Sequence, residues 1–307
     1  MSIFDDIENL EQKLQSELAK AGSYSSVDDF VKAYTQSIMD ALAGFSPEQL
    51  SNANLDSIVD DALQNARSII NTDLAGQIQT STKQILTDTK DFYSGLGLSL
   101  PNLNDAVQRS KDAEALTNLF RTNMSKMREE LLEGTIDTLR REIAQGLINR
   151  ADMEDLIFQY ADGKAHFARV NSKMIVSSYN RIGREQVRDS AGLKDGLYYG
   201  DARDNTRPFC LRCIGRVFTL EQIEAMDNGQ LSPVKIYAGG WNCIHSWLWV
   251  DPEWDDELKE KQSDAEIVEF SDDYLNLSVP NTRLIDNVRF VVYIWSNPKK
   301  HITIALH

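Results

Sequence analysis

Apolar side chains in the first 150 residues recur at intervals of three and four. Ile3, Ile7, Leu10, Leu14 and Leu18 fall on one face of a helix, and Ala21-Gly22-Ser23 ends it. A second helix is expected from Ser26, carrying Phe30, Tyr34 and Met39. At Ser46-Pro47-Glu48-Gln49 a helix start is written out: Ser46 can cap, Pro47 suits the first helical position, and Gln49 completes a capping box. The same spacing continues over 51–91 through Leu55, Ile58, Leu63, Ile69 and Ile70, and the Gly-, Ser- and Pro-rich stretch 93–104 reads as a loop.

The clearest helix is predicted over 105–147. Its stripe runs through Leu116, Phe120, Met124, Met127 and Leu131, then resumes one residue out of step at Leu132, Ile136, Leu139, Ile143 and Leu147. That slip predicts a bend, a loop at Gly134 or a stutter in a packed seam. Asp152 can cap another helix, and helix is expected again over 164–190. Such a stripe is read as the core face of a helical bundle, with an oligomeric coiled coil as the alternative.

After Gly192 the pattern shortens. Extended pieces are expected at 196–200, 216–218, 234–237 and 246–250, interrupted by one short helix that starts in the capping box Thr219-Leu220-Glu221-Gln222 and closes at Gly229. Residues 253–273 are acidic and weakly periodic, a connector or solvated helix. Residues 289–295 and 301–306 flank a turn containing Pro298 and read as a β-hairpin. The predicted fold is mainly α with a small α+β metal-knuckle module. Its regions are a helical assembly region at 1–150, the module at 151–252, and an acidic connector with hairpin tail at 253–307.

Charge narrows the function. The net charge of −15 divides as −9 over 1–150, −1 over 151–252 and −5 over 253–307. A protein that holds DNA electrostatically needs clustered cations, which the acidic ends lack. The middle is richer, with Arg181, Arg184, Arg188, Arg203, Arg207, Arg212 and Arg216, and is the candidate DNA-contact region. The N-terminus has no basic segment leading into an apolar one, and no apolar run is long enough to span a membrane. A cytosolic chain with no membrane partner is therefore expected.

The chain has 3 cysteines, Cys210, Cys213 and Cys243. An odd number, clustered, argues against a disulfide framework. Cys210-Leu211-Arg212-Cys213 followed by Gly215 has the form of a zinc knuckle, in which two thiolates face one metal and a glycine turn aims backbone N–H groups at the sulfurs. Cys243-Ile244-His245 follows Gly239-Gly240, a second tight turn. Cys210, Cys213, Cys243 and His245 are thus the candidate ligands of a closed, structural Zn²⁺ site. Trp241, Trp247, Trp249 and Trp254 lie beside the second pair and can supply the core that so small a module needs. Catalytic readings are weaker. A nucleophilic cysteine needs a histidine base, and only Cys243 has one nearby; phosphate-binding loops, G-x-S-x-G elbows and H-E-x-x-H helices do not occur. No catalytic residue is expected, and the chain is not expected to be an enzyme.

Three segments together resemble the C-terminal signature of phage Mu F-like head morphogenesis proteins. They are Asp204-Asn205-Thr206-Arg207-Pro208-Phe209-Cys210, Gly215-Arg216-Val217-Phe218, and Gly239-Gly240-Trp241-Asn242-Cys243-Ile244-His245-Ser246-Trp247. Ile244 stands where the family pattern carries arginine. The resemblance covers about residues 150–252 and implies a minor head protein, in several copies, associated with portal or major capsid protein. It further implies assembly in the host cytoplasm, carriage in the virion, and a part in DNA packaging or delivery. The rival expectation is a nucleic-acid-binding metal module that contacts packaged DNA.

Overall fold

The computed structural model describes residues 3–145, 150–241 and 243–263. They divide into two compact units, Met1–Leu193 and Lys194–His307. In the first, helix α1 (Ile3–Ala21) buries the face its sequence marks, Ile3, Ile7, Leu10, Leu14 and Leu18. Helix α2 (Ser25–Leu42) buries Phe30, Tyr34, Ile38 and Met39. The capping box forms at the single turn α3 (Pro47–Leu50): the Ser46 side chain accepts from the Gln49 N–H, and Gln49 Oε1 accepts from the Ser46 N–H. Helix α4 (Leu55–Ser68) runs without a break into a π-helical turn, Ile69–Leu74, and on into α5 (Ala75–Gly95).

The predicted helix 105–147 is two helices. Asn102 caps α6 (Leu103–Gln108), and Ser110 starts α7 (Lys111–Ala144) by accepting from the Ala113 N–H. Helix α7 runs through Gly134 without a loop. There the glycine is a notch: a Cβ would lie 1.8 Å from the hydroxyl of Tyr160, which donates to the Glu130 carbonyl at 2.9 Å. The helix expected to resume at 164 already runs from Arg150 as α8 (Arg150–Ala191). Its early buried positions are Met153, Ile157, Ala161, Ala165 and Ala168. Alanines carry the stripe there, so close helix approach replaces bulk and the hydrophobic signal is faint. Helix α8 packs on α7, α2, α5, α1 and α6. It therefore belongs with the helical unit, and the boundary falls at 193/194 instead of 150/151.

Polar contacts pin this core. Tyr34 donates to Thr135 at 2.9 Å, and Asn123 to Asn171 at 2.7 Å. Arg181, Arg184 and Arg188 are 2%, 1% and 8% exposed. Arg184 faces Glu11 at 3.9 Å, and Arg188 pairs with Glu185 at 2.6 Å. These guanidinium groups are interior, not surface, charges. Burial lowers the Arg184 pKa, and Glu11 opposes the shift.

The second unit is built on a three-stranded antiparallel sheet of order β2-β1-β3. In chain order its elements are β1 (Asp195–Tyr199), α9 (Pro208–Cys213), β2 (Val217–Thr219), α10 (Leu220–Ala225), α11 (Val234–Tyr237), β3 (Ser246–Val250), a 3-10 turn (Pro252–Trp254) and α12 (Asp256–Ser263). Leu197 stands opposite Val217 on one side and Leu248 on the other; Tyr198 stands opposite Trp247. The segment 234–237, expected as a strand, is a helical turn, with the Ile236 and Tyr237 N–H groups both donating to the Pro233 carbonyl at 3.0 Å. Four residues are too few for alternation to separate one turn from a strand.

Trp247 and Trp249 fill the core of this unit, and Trp247 meets Tyr198 and Phe218 edge-on at 4.6 and 5.9 Å. The start of the acidic connector is part of the unit as well. Leu258 is buried, and Gln262 donates to Asp195 at 2.8 Å. The hairpin expected at 289–306 lies outside the described residues. No helix among the described residues is long and apolar enough to cross a membrane.

Candidate metal centre

Helix α9 and the loop from α11 to β3 converge on one buried point. Cys210 of the helix and Cys243 and His245 of the loop bring one donor atom each to within 4.8 Å of one another. The sulfurs of Cys210 and Cys243 are 3.7 Å apart, and Cys243 Sγ is 3.5 Å from His245 Nδ1. A tetrahedral zinc, with Zn–S about 2.3 Å and Zn–N about 2.0–2.1 Å, separates two sulfurs by about 3.8 Å and sulfur from nitrogen by about 3.5 Å. Both spacings fit, and the group could hold a metal ion.

The imidazole is set for this role. His245 Nε2 lies 3.1 Å from the Asp201 carbonyl, which can only accept. Nε2 therefore carries the proton, leaving the Nδ1 lone pair directed at the sulfurs. Gly200 makes the approach possible: its φ is +138°, and a Cβ there would stand 2.8 Å from His245 Cδ2.

Gly239 is the tightest point. A Cβ on it would lie 2.2 Å from Cys210 Sγ and 3.0 Å from Cys243 Sγ. The preceding Ala238 has φ +48° and ψ −117°, a strained conformation for a residue with a Cβ. Two groups hold it there. Asn228 donates to the Ala238 carbonyl at 2.7 Å, and the Arg207 guanidinium donates to the Gly239 carbonyl at 3.0 Å and to that of Trp241.

Cys213 is not among the converging donors. It is fully buried one turn beyond Cys210 on α9, and burial pushes its thiol pKa up to about 12, opposed by Arg216. The expected knuckle is not formed either. Cys-x2-Cys lies in a helical turn, and the Gly215 N–H donates to the Tyr198 carbonyl at 2.9 Å instead of turning toward sulfur.

One side chain absent from the sequence-derived set completes the group. The Tyr198 hydroxyl donates to Cys210 Sγ at 3.3 Å and lies 3.6 Å from Cys243 Sγ, and its ring stacks on His245 at 5.7 Å. Burial and then the two sulfurs raise the phenol's pKa well above its usual value, so it keeps its proton. The Cys243 thiol and burial likewise raise Cys210. Without a cation Cys210 keeps its proton, and a bound metal would displace it. Nothing in the spacing of the chain marks Tyr198, whereas Gly239-Gly240 does mark a tight turn.

No family model, curated protein or solved structure matches the chain.

Proposed function

We propose that the chain is a structural adaptor of a phage head, a minor head protein whose C-terminal module is tied together by one structural Zn²⁺. The observation that carries the structural part is the burial of the donor set. Cys210, Cys243 and His245 are 1%, 6% and 3% exposed, which leaves no approach for a substrate. Two thiolates and an imidazole suit zinc better than a hard cation such as Mg²⁺ or Ca²⁺. A module this small gains from a metal what its core cannot supply. When bound, the ion would join α9 to the loop leading into β3 through Cys210, Cys243 and His245.

The phage-head part rests on the signature segments at 204–210, 215–218 and 239–247, and on the long acidic helical unit. Portal or capsid protein is the partner this reading assigns, with its docking surface on the helices. The rival reading, a DNA-contacting module, loses support from four of its seven arginines. Arg181, Arg184 and Arg188 are buried, and Arg207 is committed to two backbone carbonyls. Phosphate contacts need exposed cations. Mass spectrometry of purified procapsids and mature particles of the encoding phage is the direct test. The chain should be found in the particles and should copurify with portal or capsid protein regardless of salt. Absence from both particles, or retention on DNA alone that salt abolishes, would overturn the proposal.

A further inference from the structure

We infer that Tyr198 is a positioning residue of the metal centre: its phenol hydrogen-bonds the paired sulfurs of Cys210 and Cys243 and sets their affinity for the ion. This inference rests on the metal-site reading above and adds a group outside the ligand set. The hydroxyl is within hydrogen-bond range of both sulfurs, at 3.3 and 3.6 Å. Two thiolates held 3.7 Å apart in a buried site repel one another, and a shared donor offsets that repulsion without adding charge. A divalent ion, two thiolates and a neutral imidazole sum to zero, so a phenol serves this interior better than a third thiolate from Cys213 would. The strand fixes the donor. Tyr198 pairs with Trp247 across the β1–β3 ladder, its N–H donates to the Arg216 carbonyl at 3.0 Å, and its ring contacts both His245 and Trp247. The hydroxyl therefore cannot swing away without breaking the ring contacts.

The test uses the full chain, loaded with Co²⁺ as a spectroscopic stand-in for Zn²⁺, and the variant Tyr198→Phe. The variant keeps the ring and its stacking, and circular dichroism of the metal-free proteins checks that both fold alike. Loss of an outer-sphere partner should weaken Co²⁺ and Zn²⁺ binding by about 10–100-fold. The sulfur-to-cobalt charge-transfer band should move to longer wavelength, because the sulfur lone pairs lose their hydrogen bond; the ligand-field bands, which report the coordination geometry, should stay in place. Unchanged affinity and charge-transfer energy would show that Tyr198 plays no such part, while leaving the metal site standing. Appearance of tyrosinate absorption on metal loading of the unmodified chain would make Tyr198 a ligand and overturn the proposal in another way. Failure of the unmodified chain to bind Co²⁺ or Zn²⁺ at all would remove the metal reading together with this one.

Discussion

Gly239 has no room for a side chain, because both sulfurs of the candidate centre occupy the space a Cβ would take. Gly239→Ala should therefore destabilise the second unit by about 1–3 kcal/mol, the range for overpacking a filled interior. It should also lower metal stoichiometry, checked by elemental analysis alongside a denaturant titration. The ligand set makes a sharper division. Cys210→Ser, Cys243→Ser and His245→Ala should each abolish stoichiometric zinc, whereas Cys213→Ser should leave it intact. Retained metal in the first three, or its loss in Cys213→Ser, would show that the wrong sulfurs have been paired. At this scale the sequence was informative about residue types and less so about geometry. Spacing put Cys210, Cys213, Cys243 and His245 in one set, but of the two cysteines on the helical turn only Cys210 joins Cys243 and His245 in the converging group. Tyr198 was invisible because a buried tyrosine in a strand looks like core until its hydroxyl is seen against sulfur.

Helices and strands were read with different success, for a physical reason. Bulky aliphatic stripes, as on α1 and α2, report their buried face directly. The early part of α8 does not, because Ala161, Ala165 and Ala168 pack by closeness and give little hydropathy contrast. Gly134 was ambiguous in the same way, since a helix-weakening glycine can equally be a loop or a notch. The notch has a testable signature. In the native background Gly134→Ala should destabilise the helical unit despite alanine's higher helix propensity, because the Tyr160 ring must leave and its bond to Glu130 is lost. In a Tyr160→Ala background the same change should become stabilising by about 1 kcal/mol, the ordinary glycine-to-alanine gain in a helix interior. Urea denaturation of the four proteins closes the cycle. Equal effects of Gly134→Ala in both backgrounds would mean that the glycine does not serve Tyr160.

The whole molecule separates into units that depend on different forces. The unit Met1–Leu193 is held by apolar helix faces and interior polar contacts such as Tyr34–Thr135 and Asn123–Asn171. None of these contacts refers to the metal centre. The unit Lys194–His307 has a small sheet, two buried tryptophans, and a candidate centre whose Cys210 thiol would have to give up its proton to a cation. Binding free energy of a structural zinc is folding free energy for the segments it joins. Removing zinc with a chelator should therefore loosen 200–250 and leave the helices standing. Limited proteolysis should then cut first within 200–250, around the loop that carries Gly239 and Cys243, and release a resistant fragment close to 1–193. Far-ultraviolet circular dichroism should keep most of its helical amplitude, since the long helices α1, α2, α4, α5, α7 and α8 all lie in the first unit. Intrinsic fluorescence should respond strongly, because Trp241, Trp247, Trp249 and Trp254 all belong to the second unit and Trp247 touches Tyr198 beside the sulfurs. Loss of helical amplitude in step with the fluorescence change would mean that the two units fold as one. An unchanged digestion pattern would mean that the second unit does not need the ion.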